Sequence, residues 1–286
     1  MARWEPKYFK EVLEKEILQY TQKELAEKYH TNQQYIAVVL KKLGIITPQP
    51  HERNAKIKIT DVMNSVIIGS ALGDGHIRDS KGIYPYLRLE HCAQQKEYLQ
   101  YKFKALLPLM AASELKKATH LDKRSKKCFE SYYVQTRTHA KLEEYKNLFY
   151  SKQKKVIPEN LIELLDPLAL AIWYMDDGTK AKRQNQASLC TRRYNNSEVA
   201  HIRFVLAKKF GIKDTTVKKS VNDIVFNSVG CSQLMQLISP YQVPCMSYKF
   251  QLVTPRPDIQ RQLDALATTM CHAPFPNSNR KGEEIV

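Results

Sequence analysis

The sequence predicts an α+β protein in which two pseudo-symmetric αββαββα repeats follow a small all-α helix-turn-helix domain. Two apolar helices, over residues 61–75 and 166–178, each end at an Asp-Gly pair, and the elements after them recur in the same order. A polar stretch with two prolines separates them from three N-terminal helices. The expected domains are a helix-turn-helix over 1–47, a linker over 48–59, repeats over 60–158 and 159–254, and a C-terminal helix with a polar tail over 255–286.

The N-terminal helices are predicted from capping signals and apolar spacing. Thr21 and Glu24 form the pattern of a capping box, which marks the start of a second helix. Residues 30–32 favour a turn, and the apolar positions between 36 and 43 form one helical stripe that ends at Gly44. Two helices joined by such a tight turn are typical of the helix-turn-helix class.

In that class the second helix of the pair enters the major groove of DNA with its first residues. We therefore expect Gln33, Gln34 and Tyr35 to contact bases. The alternative is a small three-helix bundle that binds no ligand, because bundles of this size are common.

Alternating strands are predicted after each apolar helix, because hydrophobic side chains recur there at every second position. The expected strands lie over 86–90 and 129–138 in the first repeat and over 187–192 and 215–228 in the second. An amphipathic helix is expected within each repeat, and closing helices are expected over 139–149 and 232–237.

The composition indicates a nucleic-acid partner. The 286 residues carry 45 Lys and Arg against 29 Asp and Glu, a net charge of +16, and the cationic residues are spread along the chain. Such a surplus favours binding to phosphates over insertion into a membrane surface, although a merely soluble basic surface is the alternative. No segment has the length of a membrane span or the pattern of a signal peptide. We expect an intracellular protein of the cytoplasm, nucleoid or organelle matrix, with its six scattered cysteines reduced.

The chemistry is predicted from the two Asp-Gly helix ends. A helix C-terminus disfavours negative charge, so a positive group must compensate for Asp74 and Asp177. If the two helices pack side by side, these carboxylates meet and either share a proton or bind hard cations. The small residues between 69 and 73 suit close packing, and Gly75 and Gly178 are equally explained as left-handed residues after a helix.

The segments 67–75 (IIGSALGDG) and 170–178 (LAIWYMDDG) resemble the signature helices of the LAGLIDADG homing endonucleases. The Lys-Lys-Val-Ile-Pro segment from Lys154 also resembles the single-chain, intron-encoded branch of that family. The resemblance covers roughly residues 60 to 252. It implies a saddle whose β-sheets lie in the major groove and whose signature helices meet beneath the scissile phosphates.

The resemblance also implies residue roles. Asp74 and Asp177 would bind two or three Mg²⁺ ions where the motifs meet, and Lys155 and Lys249 would polarise the hydrolytic water. The implied activity is Mg²⁺-dependent hydrolysis of both strands of a long, asymmetric DNA target by a monomer that promotes intron or intein-type mobility. Basic side chains beside the strands are expected to contact the DNA: Arg78, Arg88, Lys180, Lys182, Arg192, Arg193 and Lys218.

A second hypothesis is a non-catalytic binder that keeps this fold, either an intron RNA maturase or a transcription regulator. Intron RNA is then an additional expected partner, and the appended helix-turn-helix favours this reading. The presence of both Asp74 and Asp177 favours cleavage, because carboxylates repel phosphate and a pure binder would tolerate their loss.

Overall fold

The computed structural model describes residues 6–18, 20–47, 54–80, 84–121, 124, 126, 128–181 and 184–250. Part of the predicted linker, the predicted C-terminal helix and tail, and Lys182 lie outside the described residues. Within the described part, no helix is long and apolar enough to cross a membrane. The described cysteines 92, 128, 190, 231 and 245 are free thiols.

Three helices form the N-terminal unit: α1 (Pro6–Glu16), α2 (Gln22–Lys28) and α3 (Gln33–Lys42). The predicted capping box is confirmed, since the backbone N–H of Glu24 donates to Thr21 Oγ1 and the N–H of Thr21 donates to the Glu24 carboxylate. Gly44 is confirmed as a left-handed residue after α3, with a φ of 64°. A small core of its own, including Leu13, Leu25 and Ile36, holds the unit together.

The predicted αββαββα order is confirmed in both repeats. The first contains α4 (Asp61–Leu72), β1 (His76–Arg78), β2 (Tyr86–Cys92), α5 (Lys96–Ala105), β3 (Lys116–Leu121), β4 (Cys128–Gln135) and α6 (Ala140–Phe149). A hairpin of β5 (Tyr150–Ser151) and β6 (Lys154–Lys155) and the short α7 (Leu161–Leu164) lead to the second repeat. That repeat contains α8 (Pro167–Asp177), β7 (Gly178–Lys180), β8 (Ala187–Leu189), α9 (Asn196–Phe210), β9 (Thr215–Lys218), β10 (Asp223–Phe226) and α10 (Ser228–Ile238), followed by a 3₁₀ turn at Pro244–Lys249.

The two four-stranded sheets have the same antiparallel topology. Their strand orders are β1-β2-β4-β3 and β7-β8-β10-β9. Along β2, Leu87, Leu89 and His91 are buried against the helices, whereas Arg88 and Glu90 point to the opposite side. We call that opposite side of each sheet its open face. The open face of the first sheet includes Arg88, and that of the second includes Ser188.

Helices α4 and α8 pack against each other at the centre of one continuous core. Gly69 permits the contact, because a Cβ atom there would lie 2.5 Å from the carbonyl oxygen of Ala169. The predicted left-handed geometry of Gly75 and Gly178 is wrong, since the positive-φ glycines of the described chain are Gly44 and Gly211. Close approach explains both instead, because a Cβ atom would lie 2.7 Å from Ser70 O and 2.4 Å from Tyr174 O, respectively.

The N-terminal unit contacts the first repeat through a single described ion pair. Arg137, which follows β4, lies 3.0 Å from a carboxylate oxygen of Glu24 and also donates to the carbonyl of Met110. Residues before the predicted boundary at residue 60 already pack on the first repeat: Asn54 is buried and donates to the carbonyl of Thr138 at 2.7 Å, and Ile57 packs on the large core.

Candidate active site

The ends of α4 and α8 bring the two predicted carboxylates to the junction of the repeats. Asp177 is the last residue of α8, whereas α4 ends at Leu72 and leaves Asp74 in the turn that follows. The backbone N–H of Asp74 donates to Oδ2 of Asp176, across the junction, at 3.0 Å. Each carboxylate is therefore delivered by one repeat, and the repeats are linked at this point.

Two lysines supply the positive charge that the helix ends require. Lys155 Nζ donates to the carbonyls of Gly73 and Gly75 at 2.5 and 2.6 Å. Lys249 Nζ donates to the carbonyls of Met175 and Asp176 at 2.5 and 2.9 Å. Their places in the sequence differ, one before and one after a proline turn, yet each lysine binds the C-terminal end of one signature helix. The charge and hydrogen bonds of each lysine offset the unfavourable helix dipole.

The surroundings of these groups change their pKa values. Burial lowers the pKa of Lys155 to about 8 and also lowers that of Lys249. Burial raises the pKa of Asp177 to about 6, and the charges of Asp74 and Asp176 add to this effect. The pKa of Asp74 is raised by desolvation and by the charge of Asp176. Both carboxylates therefore lack full compensation by the protein around them.

One carboxylate oxygen of Asp177, Oδ2, is buried without a hydrogen-bond partner among the described residues. Oδ1 lies 3.5 Å from the Arg193 guanidinium, which also donates to the carbonyl of Gly73 at 3.3 Å. A buried carboxylate oxygen without a donor is the kind of group that a hard cation binds.

Asp176 has the opposite environment, and the sequence did not predict its role. Lys102 Nζ lies 2.7 and 3.0 Å from its two oxygens, and the hydroxyl of Tyr98 donates to Oδ1 at 2.8 Å. Although burial works to raise the pKa of Asp176, the charge of Lys102 and the hydrogen bonds from Lys102 and from the Asp74 backbone hold that pKa below its usual range. The sequence signal that could have indicated this role is Lys102, because it lies on the buried face of α5, where a charged side chain needs a partner of opposite charge.

Three potential metal-binding side chains lie close together near the junction. Asp74, His91 and Asp176 each place one potential ligand atom within 4.8 Å of the others. The ammonium of Lys102 already binds Asp176 and lies 3.2 Å from Nε2 of His91. Burial, and then the charge of Lys102, lowers the pKa of His91 to about 4, so the ring is neutral and accepts a hydrogen bond from the lysine. The Lys102 ammonium therefore already binds two of these three groups, His91 and Asp176, in the place that a metal ion would take.

The open faces carry several of the predicted DNA contacts. Arg78 is exposed on β1, opposite Tyr86 of β2. The Arg88 guanidinium lies 4.0 Å from the ring centre of Tyr133 and pairs with Glu90. In the second sheet, Lys218 is exposed and Arg192 pairs with Asp223.

Five other predicted contacts lie elsewhere. Lys180 is only 8% exposed and donates to the carbonyl of Gln184 at 2.9 Å, because β7 turns this side chain away from the open face and presents Thr179 there. Arg193 lies at the junction beside Asp177. In the N-terminal unit, Gln33, Gln34 and Tyr35 are exposed at the start of α3.

The raised pKa of Asp177 has a consequence for stability. Ionised Asp177 disfavours the folded state once the pH exceeds its unfolded pKa near 3.8, and the full penalty is reached above about pH 6. Asp177→Asn is therefore expected to increase the free energy of unfolding at pH 7 by about 2 kcal/mol, with no gain below about pH 4. Urea unfolding across this pH range measures the effect. Asp61→Asn, at the exposed opposite end of α4, is the control, and an equal gain from both variants would contradict the prediction.

Comparison with known proteins agrees with the motifs and the fold. Residues 64–230 match the LAGLIDADG DNA endonuclease family. The DNA endonuclease I-ChuI of Chlamydomonas applanata is 27% identical over 209 residues, which cover 68% of this chain and 96% of the relative. The cytochrome b mRNA maturase bI2 of Saccharomyces cerevisiae is 30% identical over 197 residues, which cover 65% of this chain and 46% of the maturase. The chain spans about half the length of this maturase and of the RecA proteins of Mycolicibacterium flavescens and Mycobacterium gastri, which it also matches.

Among solved structures, the homing endonuclease I-WcaI bound to its DNA recognition sequence has the same fold. It superposes with a TM-score of 0.63 at 20% sequence identity, covering 69% of this chain and 89% of I-WcaI. The family match spans both signature helices and both sheets, and the two halves of the structure have the arrangement that the motifs predict. The chain is a member of the LAGLIDADG DNA endonuclease family.

Proposed function

We propose that this protein is a divalent-metal-dependent, site-specific endonuclease that cuts both strands of a DNA duplex. The observation that carries the proposal is the pair of carboxylates, Asp74 and Asp177, at the ends of the two signature helices where the two pseudo-symmetric halves meet. Each half presents a sheet with basic side chains. Two carboxylates related in this way suit two phosphates on opposite strands, so each would serve one strand.

The residues at the junction fit a hard divalent cation. Asp74 and Asp177 would hold the metal through carboxylate oxygens, including the buried, unpartnered Oδ2 of Asp177. Members of this family generally use divalent metals, and we assign two or three Mg²⁺ ions here. When bound, Mg²⁺ activates water and stabilises the charge that develops on the phosphate.

The two lysines would assist each strand separately. Lys155 and Lys249 sit at the two helix ends and bring a positive charge beside each scissile phosphate. With a pKa of about 8, Lys155 remains mostly protonated at neutral pH and can orient the attacking water by donating a hydrogen bond.

DNA binding would use the open faces of both sheets. Arg78 and Arg88 in the first sheet and Arg192 and Lys218 in the second would neutralise phosphates or contact bases, with Arg193 closer to the cleavage site. I-WcaI, which has the same fold, is bound to its DNA recognition sequence. Two unlike halves in one chain would let a monomer recognise an asymmetric target.

Cleavage of DNA from a host strain that lacks this reading frame tests the proposal. The protein is incubated with that DNA in Mg²⁺ or EDTA, and the ends produced are captured and sequenced. One dominant double-strand break with short 3′ overhangs, seen only with Mg²⁺, is expected. Absence of any cut under Mg²⁺, together with tight DNA binding, would favour the non-catalytic alternative.

The maturase bI2, as a relative, favours a second candidate function in intron RNA splicing. A splicing assay with the intron that contains the reading frame distinguishes the two functions. A maturase would accelerate splicing even when Asp74→Asn and Asp177→Asn are combined, because splicing by a binder does not need these carboxylates. An endonuclease without maturase activity would leave the splicing rate unchanged.

We further propose that α3 reads DNA beyond the cleavage core. Its exposed first residues would contact bases, and Lys41 and Lys42 would approach phosphates. Combined substitution Gln33→Ala, Gln34→Ala and Tyr35→Ala is expected to shorten the nuclease footprint and to weaken binding of the long target about tenfold. Footprinting and a binding titration measure this. The control is Glu11→Ala on the exposed side of α1, and an unchanged footprint would identify the unit as a bundle that does not bind DNA.

A further inference from the structure

We propose that Asp176 is a positioning residue that holds Asp74 in its working place, so that one of the two sites is assembled across the junction. The inference rests on the proposed function, because it assigns a role in the cleavage of one strand. Its structural part, the restraint of Asp74 by Asp176, can be tested without any cleavage.

The backbone of Asp74 needs an external partner. It lies beyond the end of α4, where the N–H groups of Gly73 and Gly75 donate to Gly69 and Ser70 of their own helix. Between them, the N–H of Asp74 donates to a side chain of the other repeat, Oδ2 of Asp176. This hydrogen bond to a charged acceptor is of the stronger kind.

Asp177 is held differently. It belongs to α8, and the N–H of the next residue, Gly178, donates to Tyr174 in the same helix. Its carbonyl accepts a hydrogen bond from Cys190 of the same repeat at 3.1 Å. The backbone around Asp177 is therefore held by its own repeat, whereas the N–H of Asp74 depends on a side chain of the other repeat.

Asp176 is itself rigidly placed by the first repeat. Lys102 and Asp176 form an ion pair in which both side chains are 0% exposed, and Tyr98 donates to the same carboxylate. The Tyr98 hydroxyl also lies within hydrogen-bonding distance of the carbonyl of Ile172 in α8, at 3.0 Å. The chain of contacts runs from α5 of the first repeat to Asp176 of the second and back to Asp74.

The support is one-sided because the pseudo-symmetric position in the first repeat is Gly73. It has no side chain, and a Cβ atom there would lie 2.5 Å from Oδ2 of Asp176. A carboxylate that supports Asp177 in the same way has no room at this position. Loss of the Asp176 contact should therefore slow the strand served by Asp74 more than the strand served by Asp177.

Two double variants isolate the acceptor from the buried charge. Removing Asp176 alone would leave Lys102 unpaired in the core, so both variants also carry Lys102→Met. Asp176→Asn with Lys102→Met keeps an oxygen that can accept from Asp74 N–H, and Asp176→Ala with Lys102→Met does not. Urea unfolding establishes that both are folded before further comparison.

Two readouts decide the proposal. Relative to the asparagine variant, the alanine variant is expected to exchange the Asp74 amide hydrogen at least about tenfold faster by NMR. With end-labelled target in Mg²⁺, it is expected to cut the strand served by Asp74 about 100-fold more slowly, while the ratio of strand rates in the asparagine variant stays near that of the parent. Nicked DNA would then accumulate.

Equal exchange rates for Asp74, or equal slowing of both strands, would overturn the proposal and leave Asp176 a purely structural residue. If the unsubstituted protein cuts neither strand, the proposed function fails. In that case faster exchange of Asp74 in the alanine variant would still support the restraint, and unchanged exchange would refute it.

Discussion

Asp74→Asn and Asp177→Asn are each expected to reduce double-strand cleavage about a thousandfold while DNA binding stays close to that of the parent. An asparagine preserves the shape of the side chain but removes the charge and one strong metal-ligand oxygen. The binding surface is unaffected, because the basic side chains of the open faces are unchanged. Cleavage of a plasmid that carries the target, followed by gel electrophoresis, separates supercoiled, nicked and linear forms.

Each single variant should stop at the nicked form, because one carboxylate still serves one strand. The double variant should leave the plasmid supercoiled, and Asp61→Asn should give linear product at the parental rate. Linear product from either Asp74→Asn or Asp177→Asn at the parental rate would show that the site is misassigned. Weaker binding without loss of cleavage at saturation would assign these residues to DNA recognition instead.

Gly69→Ala is expected to lower the free energy of unfolding by about 3 kcal/mol or more. The new methyl group would lie 2.5 Å from the carbonyl oxygen of Ala169 and 2.6 Å from Cβ of Ile172. Both neighbours belong to a central helix of the core, so α4 and α8 would have to separate. Urea unfolding monitored by tryptophan fluorescence measures the loss, because Trp173 is fully buried in α8.

Gly211→Ala is the matched control for this substitution. It lies in the second repeat with a φ of 70° and has no atom within 4 Å of the added methyl group, so only backbone strain of about 1 kcal/mol is expected. If both variants lose the same stability, close helix packing is not what requires Gly69. A shift in the urea midpoint for Gly69→Ala alone would support the packing argument.

The order of elements and the main site were predictable because they depend on local patterns. Strands and helices follow from periods of two and 3.6, and the signature motifs place Asp74 and Asp177 at helix ends whatever the rest of the chain does. The lysines were predictable only through the family resemblance. The structure gives the physical reason for their positions: each lysine donates to carbonyls at the C-terminal end of a signature helix, where the helix dipole favours a positive charge.

Features that depend on distant contacts were not predictable. In the sequence Asp176 is only the residue before Asp177. Its partners, Lys102 on α5 and His91 on β2, lie more than 70 residues away, so no local pattern connects them with it. Lys180 was assigned to the DNA surface because a strand of three residues is too short to show which side chains face outward. Gly75 and Gly178 were predicted to be glycine because of a left-handed backbone, whereas the structure shows that closely packed neighbouring atoms leave no room for a side chain.

The pairing of Gly73 with Asp176 has a consequence for the ancestry and redesign of this chain. Two copies of the first half would place glycine against glycine and would lack the Asp176 carboxylate that accepts the Asp74 N–H here. Two copies of the second half would bury like charges against each other, without the Lys102 ammonium that neutralises one of them here. Neither pairing would reproduce the observed junction, which needs Gly73 and Lys102 from one half and Asp176 from the other.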